Sequence, residues 1–70
     1  MDTKQMLARQ EVIELINMGR KCLSLLDNIE SMCLWFTMGY NHAKNNEITD
    51  REFFELMTLE ERLLYAIFKD

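Results

Sequence analysis

The sequence has 70 residues, a formal net charge of −4 and no proline, and this length predicts one small domain over residues 1–70. An acidic domain repels phosphates, so direct binding to DNA or RNA is not expected. The longest nearly apolar run, residues 32–40, is far shorter than the roughly 20 residues that cross a membrane, so no membrane contact is expected either.

The residue types predict an all-α fold. Leu, Met, Glu and Lys are frequent, all of them good helix formers, and there are only two glycines. No alternating stretch of β-branched residues indicates a strand. We therefore expect a small compact bundle of three to four helices with short loops. A chain this short buries little surface, so helix packing or a partner must add to its stability.

The two cysteines, Cys22 and Cys33, stand alone without a CxxC motif or a histidine cluster, and we interpret them as reduced core thiols. The N-terminal segment "MDTKQMLARQ" lacks the apolar stretch of a signal peptide. Together these features predict a cytoplasmic protein.

The first helix is predicted over Thr3 to Leu26, with the spacing of an amphipathic helix. Its apolar face holds Val12, Leu15, Ile16, Gly19, Cys22, Leu23 and Leu26. Gly19 lies inside this face, which predicts close packing against a neighbouring helix or a helix end after Met18. The functional alternative is a hinge.

The second helix is predicted from Asn28 to about Lys44. Asp27 and Glu30 have the spacing of an N-terminal capping box, which predicts a turn near Asp27–Asn28. At the other end, Asn45 or Asn46 is expected to take the left-handed capping conformation.

A continuous heptad pattern predicts a different arrangement, in which the first two helices form one long helix of a coiled coil. The heptad positions are Val12, Leu15, Gly19, Cys22, Leu26, Ile29, Cys33, Phe36, Tyr40 and Ala43. Glycine and cysteine are poor residues for a coiled-coil seam, so we favour two helices.

The last segment contains two capping boxes, Thr49 with Glu52 and Thr58 with Glu61. One helix from Asp50 to Phe68 fits this pattern, as do two shorter helices with a kink near Thr58. Glu60 interrupts the apolar line of this segment, which favours the kink.

The segment "NHAKNNEITDREFFELM", residues 41–57, resembles the loop and exit helix of an EF-hand. The resemblance implies calcium binding, with Asn41 at the first loop position and Glu52 at the twelfth. Ala43, however, stands where the third position needs an oxygen ligand, and Asn46 replaces the turn glycine. We therefore expect an ordinary helix–loop–helix corner with no metal and no cofactor.

Catalysis is not expected. His42 is the only histidine, and the chain has neither a glycine-rich phosphate loop nor a GxSxG motif. His42 lies near a predicted helix C-terminus, where the helix dipole favours an imidazolium, so its role is interpreted as structural. Glu60 and Glu61 are adjacent on a helix and point in different directions, so they do not form an acid–base pair.

The second helix is apolar on more than one side, because Leu34, Trp35 and Met38 lie opposite the stripe that contains Phe36 and Tyr40. Aromatic residues and methionine are enriched at protein interfaces, so these three residues are the predicted anchors for a partner. The alternative is that other helices cover both faces and Trp35 closes the bundle interior.

The whole net charge arises from residues 45–70, which hold seven acidic and three basic side chains. Such a run is usually a solvated helix face. The sharper hypothesis is a row of carboxylates, Glu47, Glu52 and Glu55, that mimics nucleic acid. Glu52 and Glu55 are the predicted acidic residues of the partner-binding site.

These observations predict a small interaction module that binds and occludes a larger protein, with the apolar patch as anchor and the acidic segment setting specificity and on-rate. Tiny acidic helical proteins are often regulators or inhibitors, including phage and mobile-element products, and this last step is an analogy. Two alternatives are a structural homodimer and an acidic mimic that binds a basic DNA-binding protein.

Overall fold

The structure, a computed structural model, describes residues 3–26 and 29–69, and it describes side chains at all of these except residues 23–26 and 69. Four helices follow one another: α1 (Thr3–Leu26), α2 (Ile29–Asn45), α3 (Asp50–Glu55) and α4 (Leu59–Lys69). No strand occurs in the described part of the chain. The predicted all-α bundle with short loops is confirmed.

Helices α1 and α2 form an antiparallel hairpin. Gly19 lies against the ring of Phe36, whereas Gly39, further along α2, lies near Leu15 at an earlier position of α1. In one continuous helix Gly19 and Phe36 would be about 25 Å apart, so the long-helix alternative is wrong. The predicted turn at Asp27–Asn28, and the capping role of Asp27, lie outside the described residues.

Gly19 is a site of close helix packing, which was one of the two structural predictions for this residue. A Cβ atom at this position would lie 2.7 Å from Cε1 of Phe36, well inside normal contact distance. The helix continues through this residue to Leu26, so the predicted end after Met18 is wrong.

The C-terminal end of α2 differs from the prediction, because the left-handed residue is Glu47 (φ 62°) and not one of the two asparagines. The N–H of Ile48 donates to the carbonyl of Ala43 at 2.9 Å, and that of Glu47 to Lys44 at 3.4 Å, the two bonds of a Schellman motif. Asn46 uses its side-chain amide to cap the carbonyl of His42 at 2.8 Å. Ile48 is then buried beyond the turn.

The position of this helix end is also incompatible with the EF-hand alignment. Residues 41–45 are helical, so only residues 46–49 separate α2 from α3, far fewer than the twelve residues of a calcium loop. Glu52, which the alignment needs as a metal ligand, instead accepts a hydrogen bond from the N–H of Thr49 at 3.2 Å.

Both capping boxes of the last segment are present, and they start two separate helices. The side chain of Thr49 accepts from the N–H of Glu52 at 3.2 Å, and that of Thr58 accepts from the N–H of Glu61 at 3.1 Å. In return, Glu61 accepts from the N–H of Thr58 at 2.8 Å. The predicted kink near Thr58 is confirmed, because a second N-terminal cap interrupts the helix there.

The core lies between the hairpin and the two short helices. Its buried hydrophobic residues are Ala8, Val12, Ile16, Met32, Phe36, Ala43, Ile48, Phe53, Met57 and Tyr65. Tyr65 meets Phe36 edge to face at a centroid distance of 6.0 Å, and Tyr40 meets Phe53 in the same way at 5.5 Å. These aromatic contacts attach α3 and α4 to α2.

Cys22 and Cys33 are free thiols, as predicted, but both are only partly buried and so do not belong to the core proper. None of the described helices combines the length and the apolar character needed to cross a lipid bilayer.

Candidate protein-binding surface

The outward side of α2 carries two of the three predicted anchors. Leu34 and Met38 are one helical turn apart and are 67% and 50% exposed. Phe36, between them in sequence, faces the opposite way and is fully buried. The helix is therefore apolar on a covered side and on an open side, as the sequence predicted.

Trp35, the third anchor, is half-buried. It is neither sealed in the bundle interior nor fully presented to solvent. Its neighbours in sequence on either side are the exposed Leu34 and the buried Phe36, so it lies at the boundary between the core and the open face. A partner seated on Leu34 would therefore change the environment of the indole ring.

An open groove of about 520 Å³ joins α2 to α4 beside these residues. Leu34 and Cys33 line it from α2, and Phe68 lines it from α4. The groove exists because Tyr65 holds α4 close to α2: its hydroxyl lies 3.2 Å from Oγ1 of Thr37. Burial raises the pKa of the Cys33 thiol, so this residue contributes a protonated, mainly apolar lining.

Glu52, one of the two predicted acidic residues, is committed to contacts within the chain. Its carboxylate caps the start of α3 and forms an ion pair with Arg9 of α1. The N–H and hydroxyl of Thr49 lower the pKa of Glu52, and the charge of Arg9 adds a smaller effect in the same direction. Its negative charge is thus partly neutralised before any partner arrives.

Glu55, the other predicted acidic residue, is well exposed and forms a solvent-screened pair with Arg51 one turn earlier, at 3.3 Å. It lies on α3, which packs at the Tyr40 end of α2, roughly 9 Å along the helix from Leu34. Glu55 is therefore separated along α2 from Leu34, whereas Met38, the other exposed anchor, lies close in sequence to Tyr40.

The structure adds an ion pair that the sequence did not reveal. Arg20 of α1 donates from Nε and Nη2 to both carboxylate oxygens of Glu61 on α4, at 2.6 and 2.9 Å, and also to the carbonyl of Leu56 at 3.0 Å. The guanidinium lowers the pKa of Glu61, whose carboxylate in turn raises that of Arg20. No local pattern predicts a contact across 41 residues of chain.

A second apolar surface was also missed. Helix α4 exposes Leu59, Leu63 and Ile67, which the sequence presents simply as apolar residues of an amphipathic helix. The available signal was their spacing of four residues, which places them in one row separate from Tyr65.

No protein-family model matches this chain, and no curated protein or solved structure shows a significant similarity to it.

Proposed function

We propose that this protein is a small interaction module that binds a larger protein and regulates it by occlusion, without performing chemistry. The observation that supports this proposal is the open apolar face of α2 formed by Leu34 and Met38, beside the groove closed on its far side by Phe68. Contiguous exposed apolar side chains of this kind mark interaction sites in small proteins.

The two exposed side chains of this face can contribute part of a binding free energy. Full burial of a leucine or methionine side chain contributes about 1.5–3 kcal/mol, and at least half of each side chain is still exposed here. Burying the rest of Leu34 and Met38 would thus contribute about 2–4 kcal/mol, a factor of roughly 30 to 700 in affinity.

The acidic segment has the role of steering a basic partner. Glu55 is the better placed of the two predicted residues, because in the described part of the chain its ion pair is with the exposed Arg51, whereas Glu52 would have to give up a helix cap. We place the module in the cytoplasm because its two thiols, Cys22 and Cys33, are unpaired.

Affinity capture from cells that encode the protein, followed by titration of the purified partner, tests the proposal. The variant Leu34→Ala/Met38→Ala should lose at least about 30-fold in affinity. The matched control, Leu63→Ala/Ile67→Ala, removes two aliphatic side chains of similar exposure from another helix and should change affinity by less than about threefold. Equal effects of the two double variants would refute the proposed face.

Trp35 gives a direct readout, because it is the only tryptophan and lies at the edge of the proposed face. Its emission should shift to shorter wavelength when the partner binds. Salt separates the two mechanisms: an apolar anchor retains its affinity as salt rises, whereas an acidic mimic loses it steeply. A steep loss, together with a large effect of Glu55→Lys, would favour the mimic over the apolar anchor.

A further inference from the structure

Helix α4 contributes little to the core of the bundle. Among the ten buried hydrophobic residues in the described part of the chain, Tyr65 is the one that belongs to α4. Leu64 packs against the core only in part. The outward side of the helix presents Leu59, Leu63 and Ile67 to solvent, each more than half exposed. Because burial of apolar surface is the main force that docks a helix, α4 is attached less firmly than α1 or α2.

The connection between α3 and α4 has the properties of a hinge. The last backbone hydrogen bond of the α3 turn runs from the N–H of Met57 to the carbonyl of Phe54 at 3.2 Å, and the first of α4 runs from Arg62 to Thr58 at 3.0 Å. Helix α4 also has its own N-terminal cap, since Thr58 and Glu61 bond to each other. Met57 is buried and keeps the segment before the hinge attached to the core. Rotation between Met57 and Thr58 therefore leaves the hydrogen bonds of both helices intact.

Two side-chain attachments hold α4 against the rest of the bundle. Arg20 bridges the hinge, because it donates to the carbonyl of Leu56 before the hinge at 3.0 Å and to both carboxylate oxygens of Glu61 after it. Tyr65, one turn further along α4, packs edge to face against Phe36. Glu61 and Tyr65 are four residues apart and so lie on the same side of the helix. The closed position of α4 thus depends on one ion pair and one buried aromatic ring.

We propose that α4 is a hinged cover, which opens as one unit about Met57–Thr58 while α1, α2 and α3 stay folded. The other nine buried residues all precede the hinge and keep their packing when α4 leaves. The closed form predominates, because opening exposes the ring of Tyr65 and breaks the ion pair of Arg20. A free helix of 11 residues is marginal in water, so the open α4 also loses its helical hydrogen bonds.

Opening changes the surface that α2 presents. In the closed form Tyr65 covers an edge of Phe36, and Phe68 closes the groove beside Leu34 and Cys33. When α4 moves away, these parts of α2 become continuous with the exposed Leu34. The hinged cover therefore gives the chain two forms that differ in the apolar area of α2, and a partner that contacts Phe36 selects the open form. The hinge is a property of the free chain, so it and the proposed function can fail independently.

Native-state hydrogen exchange, followed by NMR under conditions where the rate reports the opening equilibrium, tests the hinged cover. The amides of residues 63–67 should share one opening constant, at least about tenfold larger than that of residues 12–16 and 32–36, which exchange through global unfolding. Arg20→Gln should raise this constant by about tenfold at all of the α4 amides. An effect of Arg20→Gln confined to the first turn of α4 would mean that the helix end only frays, and would overturn the proposal.

Gly39→Ala provides the matched control, because it acts on the hairpin and not on α4. A Cβ atom at this position meets Phe53, Leu15 and the carbonyl of Val12, all of which precede the hinge. The variant should slow exchange at residues 12–16 and 32–36 by about threefold through its gain in helix propensity. The α4 amides should keep the wild-type rate, because the hairpin is equally folded in the open and closed forms. If the α4 amides change by the same factor as the hairpin amides, α4 unfolds only with the whole chain and the hinged cover does not exist.

Circular dichroism establishes that Arg20→Gln and Gly39→Ala are folded.

Discussion

The contact between Gly19 and Phe36 provides the sharpest test of how the hairpin is built, and Gly19→Ala is the perturbation. A Cβ atom at position 19 would lie 2.7 and 2.8 Å from two ring carbons of Phe36 and 3.1 Å from the carbonyl oxygen of Met32. Normal carbon–carbon contacts are about 3.5–4.0 Å, so the ring or the helix must move by close to 1 Å. Phe36 is fully buried and also packs edge to face against Tyr65, so the ring has little freedom to yield.

Two effects of opposite sign determine how much Gly19→Ala changes the free energy of unfolding. Alanine is favoured over glycine inside a helix by about 1 kcal/mol. Overpacking a well-packed core typically costs about 1–3 kcal/mol, and two ring atoms and a backbone oxygen place this site in the upper half of that range. Gly19→Ala should therefore lower the free energy of unfolding by about 1–2 kcal/mol.

Gly39→Ala is the matched control on the facing helix. A Cβ atom there would meet Phe53 at 3.4 Å and Leu15 at 3.6 Å, which are ordinary contact distances. This variant gains the helix propensity without the clash and should raise the free energy of unfolding by about 0.5–1 kcal/mol. The two glycines, alike in sequence, should thus respond with opposite signs.

Urea denaturation followed by far-UV circular dichroism measures both changes. The protein should be kept dilute, because self-association makes apparent stability depend on concentration. If Gly19→Ala stabilises the protein as much as Gly39→Ala, then α1 and α2 do not approach each other at Phe36 and the hairpin described above is wrong. A smaller side chain at position 36 should relieve the clash, so Gly19→Ala should cost less in a Phe36→Leu background than in the wild type.

Three further predictions concern stability measured by urea denaturation. Glu47→Gly should raise the free energy of unfolding by about 0.5–1 kcal/mol, because glycine removes the steric cost of a left-handed residue (φ 62°) at the end of α2. A decrease in the free energy of unfolding would contradict the left-handed turn. Glu61→Gln should lower it by about 1–2 kcal/mol at neutral pH, whereas the exposed Glu60→Gln should change it by less than about 0.5 kcal/mol. Arg20 lowers the pKa of Glu61 in the folded protein. The contribution of this carboxylate to the free energy of unfolding is therefore complete above the ordinary glutamate pKa and is lost as the pH falls through the lowered pKa. A destabilisation by Glu61→Gln that persisted in acid would argue against the ion pair. Thr49→Ala should lower the free energy of unfolding by about 1 kcal/mol through loss of the α3 cap, whereas Thr49→Ser, which keeps the hydroxyl, should retain most of that stability. Equal losses of stability in the two variants would assign the effect to packing instead.

Features that depend on neighbours within one turn were predictable from the sequence. The capping boxes of Thr49 and Thr58, the kink between them and the two apolar sides of α2 all follow from residues three or four positions apart, whose contacts a helix fixes by itself. The left-handed cap was predicted one or two residues too early. The side-chain amide of Asn46 donates to the carbonyl of His42, and Glu47 adopts the left-handed conformation instead.

The sequence by itself determined an acidic, all-α chain with more apolar helix surface than a small bundle covers. Only the tertiary structure decided which of that surface stays open. Helical periodicity places the apolar residues around Leu63 on one side of α4 and Tyr65 on the other. It does not show which of these two sides faces the core, because the helix has the same period either way round. The choice was made by contacts between residues far apart in the chain, Glu61 with Arg20 and Tyr65 with Phe36, and no local rule encodes such contacts.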